Sequence, residues 1–216
     1  MNLPDKEAAT ALLHQHVQDD YQRLHAQMVA TAMEGYAHHF SALAVQTMPS
    51  EAPGLRHMRD SNPAFSAPSP ALPPGGEDPH LWFITGLLHD IDFEQHPDAH
   101  PGPSLQWFKD WSWPDALIHA VEAHAYGYHG FKTLPQTRLA AALLATDELT
   151  GIFYAYRKMN PVPYGQMKAS SIKKKFKDRT FAAKVDRATI ELGCSHLGVP
   201  LDAHIENLIR FLASLS

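Results

Sequence analysis

Apolar residues in the first 45 positions recur at helical intervals. Leu24, Met28, Ala32, Tyr36 and Phe40 stand four apart, with Val29, Met33 and Ala37 beside them, a stripe of the kind that faces a core. The pattern predicts helix through these 45 residues and stops at Thr47. Between Pro49 and Pro79 lie eight of the chain's 17 prolines, with Gly75-Gly76 near the end. Proline lacks the amide hydrogen and fixes φ, so such a stretch holds no regular helix, and it offers few apolar groups to bury. Residues 46–79 therefore read as a loop insertion, with a lid over a site as the sharper alternative.

Helix resumes at Leu81. The run LWFITGLLHDIDF is apolar nearly all round, which predicts a central buried helix. A Pro/His-rich loop, HPDAHPGPS, follows. Pro114 opens the next helix at a favoured first-turn position, and there Leu117, Ile118, Val121 and His124 share neighbouring faces. Residues 136–159 read as a long alanine-rich helix ended by Asn160-Pro161. Two more helical segments, about 180–197 and 201–214, are separated by a stop at Gly198-Val199-Pro200. No alternating strand pattern and no internal repeat appears. The expectation is one all-α domain over residues 1–216, a helical bundle carrying the 46–79 insertion.

Composition narrows the classes. With 44% hydrophobic and 19% charged residues, the chain has the profile of a globular protein, not a disordered one. No apolar run approaches the roughly 18 residues of a membrane span. The opening MNLPDKEAATALLHQHVQDD is too polar for a secretory signal. The one cysteine, Cys194, allows no internal disulfide and fits a reducing compartment. These features predict a cytoplasmic protein without a membrane partner, and a net charge of -5 argues against a nucleic-acid partner. Histidine is the outlier, at 15 of 216 residues, and it is both the commonest metal ligand and the side chain that titrates near neutrality.

Two carboxylates stand in apolar surroundings. In GLLHDID, Asp90 follows His89 and is flanked by Trp82, Phe83, Ile84, Leu87, Leu88 and Ile91. The dipeptide itself is weak evidence, since about one His-Asp pair is expected by chance at this composition. The context carries more weight, because a buried carboxylate costs several kcal/mol unless it is paired. A cation shared by His89 and Asp90 would remove that cost; a buried His-Asp hydrogen bond is the alternative. Asp147, in LAAALLATDELTGIFYAY, is a second such carboxylate, with a helix cap or kink at Thr146-Asp147 as its plain reading. An imidazole with two carboxylates suits a divalent ion: manganese, magnesium, iron or zinc. Such an ion activates water and polarises a phosphoryl oxygen.

The order of GLLHDID, EAH at 122–124, ATDELTG at 145–151 and SSIKKKFKDRTFAAKVDR at 170–187 resembles the small HD-superfamily proteins described as predicted hydrolases. The likeness covers most of the chain outside residues 46–79. It implies an HD-type helical bundle, a metal held by His…His-Asp…Asp, and metal-assisted hydrolysis of a phosphate ester, often of a nucleotide. On that likeness His89 and Asp90 form the central pair and Asp147 is the last ligand. His100 and His124 match positions that hold a second metal or touch the phosphate. The first ligand position falls on Gln27, in Gln27-Met28-Val29-Ala30-Thr31, where the family has histidine. His25 lies about 200° round a helix from Gln27, and His38 about 16 Å along it, so neither replaces it simply. Gln27 would offer only an amide oxygen or order a metal-bound water.

The resulting expectation is a metal-dependent phosphohydrolase acting on a small phosphorylated molecule. Asp90, His124 and Glu94 are the candidate catalytic groups, with Glu94 or Glu148 orienting water or taking its proton. His100 and His124 would stabilise phosphoryl charge. Lys174, in the run Lys173, Lys174, Lys175, Lys177 and Arg179, is a candidate phosphate contact, a solvated face being the plainer reading of that run. The competing reading, resting on Gln27, is a protein that binds metal or a phosphorylated ligand without turnover.

Overall fold

A computed structural model describes residues 3–46 and 78–215, so residues 47–77 of the stretch read as an insertion lie outside the described part. Among the described residues the architecture is all helical, without strands. The first 45 residues form two helices rather than one: α1, Lys6–His16, and α2, Asp20–Gln46. The break has a local cause. Asp19 caps α2 by accepting from the Gln22 amide at 2.8 Å, and Glu94 accepts from the amides of Gln18 and Asp19 at 2.7 and 3.0 Å, supplying partners that helix would otherwise provide.

Seven helices follow: α3 (Pro79–Leu88), α4 (Gly102–Asp110), α5 (Asp115–His124), α6 (Arg138–Met159), α7 (Ala169–Lys177), α8 (Arg187–Leu197) and α9 (Leu201–Phe211). Their ends follow the sequence. Asp78, Thr137 and Asp186 accept from amides of the first turns of α3, α6 and α8, and Gly198 stops α8 in the left-handed region at φ 72, where glycine has no Cβ penalty. Three boundaries differ from the sequence reading. The central helix ends at Leu88, so His89 and Asp90 emerge just past its last turn. The second half of HPDAHPGPS begins α4, because prolines at a helix start give up only amides that have no partner there. The segment before Arg187 is a loop and not the start of α8.

Helix α2 lies along α3 and α6, α8 rests on α6, α5 sits against α3, α4 and α6, and α1 covers α3. One apolar cluster joins α2, α6, α8 and α9 around Met33, Tyr36, Leu143, Phe153, Ile190 and Leu208. A second joins α1, α3, α4 and α5 around Leu13, Ile84, Leu88, Phe108, Leu117 and Val121. Two glycines let backbones meet. A Cβ on Gly86 would stand 2.8 Å from Ala30 Cα, and one on Gly193 would stand 2.4 Å from the Ala145 amide nitrogen. These approaches bring α3 onto α2 and α8 onto α6 beside the residues that carry the chemistry. No helix among the described residues is long and apolar enough to cross a membrane.

Candidate metal centre

Five segments converge at one end of the bundle. The first turns of α2 bring His25, the end of α3 His89, the following turns Asp90 and His100, the last residue of α5 His124, and the middle of α6 Asp147. His25 Nε2 lies 3.0 Å from Asp147 Oδ1 and 3.5 Å from Asp90 Oδ2. His89 Nε2 lies 3.3 Å from Asp90 Oδ2, 3.4 Å from Asp147 Oδ1 and 3.3 Å from His25 Nε2. Donors about 2.1 Å from one cation, at angles between roughly 90° and 110°, stand about 3.0–3.4 Å apart. Four of the five separations fall within that range, and the fifth, between His25 and Asp90, exceeds it by about 0.1 Å.

The other oxygen of Asp90 serves a second set. Asp90 Oδ1 is 3.2 Å from His100 Nε2 and 3.4 Å from His124 Nε2, and those two nitrogens are 3.2 Å apart. The described residues thus hold two groups able to take a metal ion, His25, His89, Asp90 and Asp147, and Asp90, His100 and His124. Asp90 belongs to both.

The far nitrogen of each ring fixes what the near one offers. His89 Nδ1 donates to the Gly86 carbonyl at 2.8 Å, and His124 Nδ1 to that of Val121. His100 Nδ1 donates to Asp92 Oδ1 at 2.7 Å. The Thr150 hydroxyl donates to the Asp147 carbonyl at 2.8 Å and so accepts from His25 Nδ1 at 3.0 Å. With all four Nδ1 hydrogens directed outward, the neutral rings set Nε2 lone pairs face to face at 3.2–3.3 Å. That tautomer is the one a metal ligand needs, and only a cation or a proton relieves the repulsion.

Left to protons alone, the centre charges its imidazoles. Burial opposes the charged form of His25, but its hydrogen bonds to Asp147 and Asp90 overcome that, and its pKa is pushed up to about 9. Burial likewise opposes a charged His89, and the Asp90 and Asp147 carboxylates carry it well above the usual imidazole range. Against the same burial, the histidines hold both carboxylates well below theirs. A cluster of this kind could hold a divalent ion in place of those protons.

The sequence-predicted residues divide cleanly by position. His89, Asp90, Asp147, His100 and His124 meet; Gln27, Glu94 and Lys174 do not join them. Gln27 turns toward Thr31 on the next turn of α2, and His25 occupies the place expected of it. Glu94 is engaged by the amides of Gln18 and Asp19. Lys174 is exposed on α7 and does not line the cavity over the centre. His100 and His124 bring their Nε2 atoms to Asp90 and to each other, where they could help hold a cation. Asp92, fully buried, went unnoticed although it stands in the GLLHDID motif; it orients His100 and accepts from the Ser104 amide at 3.1 Å.

Above the centre lies a cavity of about 500 Å³, a size that suits a small molecule. Phe93, Tyr126 and Tyr128 line it, as do Tyr21, Glu148, Lys184 and Asp186. Burial and the nearby Asp147 charge push the Tyr21 hydroxyl up to about 12, so it stays a donor. Burial and the same charge push Glu148 up to about 7. No family model, curated protein or solved structure matches this chain.

Proposed function

We propose that this chain is a metal-dependent phosphohydrolase of the HD type, acting on a small phosphate ester. The observation that carries the reading is the set of four imidazoles, each tied down at Nδ1, whose Nε2 atoms gather in two pairs about the oxygens of Asp90, with Asp147 closing the first pair. With His25 taken into the set, the order His25, His89-Asp90, Asp147 supplies the His…His-Asp…Asp pattern that the motif resemblance implies. The reading of a binder without turnover rested on Gln27, and it loses that support once Gln27 stands off the centre.

His25, His89, Asp90 and Asp147 would hold one divalent cation, and Asp90, His100 and His124 a second. Two donor sets sharing a carboxylate suit phosphoryl transfer, in which charge on attacking and leaving oxygens must be met together. Bound there, divalent ions supply Lewis acidity, polarising a phosphoryl oxygen and making water a competent nucleophile near neutral pH. The chain's own groups do the remainder. Asp92 and Thr150 keep His100 and His25 in the tautomer that faces inward. The Tyr21 hydroxyl, protonated throughout the physiological range, can donate to an anionic phosphoryl oxygen. Glu148, poised near neutrality, can take a proton from the attacking water and return one to the leaving oxygen. Phe93, Tyr126 and Tyr128 give the cavity an aromatic lining.

Substitution separates the two residues that compete for the first position. With manganese added, the protein should hydrolyse p-nitrophenyl phosphate or another activated phosphate ester. His25→Ala should lower turnover about a hundredfold or more, whereas Gln27→Ala should leave it within about twofold. Equal loss from both changes, or none from His25→Ala, would remove the basis of the assignment.

A further inference from the structure

Apart from the groups assigned to the metals, the charged lining of the cavity is unusual for a phosphate site. It holds one ammonium, Lys184, against two carboxylates, Glu148 and Asp186, and among the described residues no arginine lines it. A polyphosphate or carboxylate-bearing ligand reaching beyond the metal centre would meet net negative charge. A hydroxyl or ammonium group would meet acceptors. Asp186 Oδ1 is engaged in capping α8, accepting from Ala188 and Thr189 at 2.8 and 3.3 Å, while its Oδ2 has no such bond. Glu148 Oε2 accepts from the Asp186 amide at 3.2 Å, which leaves Oε1.

This wall is held by a guanidinium. Arg187 is 2% exposed, and its donors reach five backbone carbonyls of one short segment: Phe176, Asp178, Phe181, Ala182 and Val185. A guanidinium has five N–H donors in fixed directions, so the loop is wrapped around all of them. The segment that presents Lys184, Val185 and Asp186 to the cavity is therefore preorganised, as a recognition surface needs to be.

We infer that this wall reads the part of the substrate beyond the phosphoryl group. It selects a phosphomonoester whose remaining part is uncharged or cationic and carries hydroxyl or amine donors. The inference rests on the phosphohydrolase reading and deepens it. Asp186 is the specificity-determining residue, because it lines the cavity from a fixed helix start with only one of its carboxylate oxygens engaged in the cap. Lys184 works against the selection.

A matched pair of probes tests this on the manganese-loaded protein at pH 8. Glycerol 3-phosphate and 3-phosphoglycerate differ only by a hydroxymethyl group in place of a carboxylate; phosphoethanolamine adds a cationic case, and inorganic phosphate reports on the metal end alone. Turnover and the rise in melting temperature are both read. We expect glycerol 3-phosphate and phosphoethanolamine to exceed 3-phosphoglycerate by about tenfold or more in kcat/KM and to give larger thermal shifts. Asp186→Asn, which keeps the helix cap, should narrow the gap to about threefold or less, and Lys184→Ala should widen it. If phosphate stabilises the protein but the pair is treated alike, or if neither substitution moves the gap, the wall does not select and the phosphohydrolase reading stands without it. If no probe, phosphate included, is turned over or shifts melting, both readings fall.

Discussion

For each histidine at the centre, the partner of Nδ1 decides what Nε2 can do. For His100 that partner is Asp92, buried and bonded to the Ser104 amide as well. Such outer partners of metal-bound imidazoles are commonly worth about 10- to 100-fold in affinity. Asp92→Asn should therefore weaken the second ion by about tenfold or more while the first, held by His25, His89 and Asp147, stays; metal titration resolves the two, and equal affinity in both proteins would contradict the role. Residue by residue, the site was only partly legible. His89, Asp90 and Asp147 stood out because acid groups among apolar neighbours need partners. Gln27 was expected on the site because the family resemblance places the first ligand there, against the local pattern. Along α2, His25, Val29, Ala32 and Tyr36 form one stripe, and all but the histidine are fully buried, whereas Gln27, Thr31, Glu34 and His38 form a polar one. The 200° that seemed to disqualify His25 in fact takes Gln27 away from the centre.

Helix α9 reports on α6 through one buried ring. His204 donates from Nε2 to the Ala145 carbonyl at 3.0 Å and accepts the Tyr36 hydroxyl at Nδ1, so α2, α6 and α9 are tied together two residues before Asp147. Burial drives the pKa of this imidazole down to about 4, against a weaker opposing effect of the Ala145 carbonyl. Between pH 6.5 and 4 the unfolded chain therefore binds a proton that the folded one refuses, and stability falls on acidification, by up to about 3 kcal/mol. Glu148, raised to about 7, acts with opposite sign between about pH 4.5 and 7, so the comparison must be with a variant. His204→Gln should lose less stability than the parent over this window in urea titrations at stepped pH; parallel curves would show that His204 does not titrate as argued. At this scale the helices were legible wherever apolar periodicity ran long, as in α2 and α6. The break at Val17–Asp19 was missed because the apolar stripe was read past an Asp cap. The loop before α8 was missed because what orders it is not periodicity but Arg187, a single charge binding five carbonyls that no local pattern announces.

Across the whole molecule, the all-α class was readable, while the helices α4 and α7 and the meeting of distant segments were not. Residues 25, 124 and 147 come from three different helices and residue 89 from just past the end of a fourth, and the approach of α3 to α2 that joins two of them depends on Gly86, which looks ordinary in the sequence. The same geometry makes the centre a tie between α2, α3, α5 and α6, so a bound ion should also stabilise the bundle, by an amount that grows with its concentration over the dissociation constant. Chelation should lower the melting temperature, and returning the metal should restore it. The most direct test is elemental analysis of the protein reconstituted with manganese, iron, zinc or magnesium and freed of unbound metal. About two divalent ions per chain are expected, falling when His89 or Asp147 is replaced in variants that remain folded. Less than about a tenth of an ion per chain with every metal offered would mean that the paired imidazoles are only a buried hydrogen-bond network, and would contradict the metal assignment.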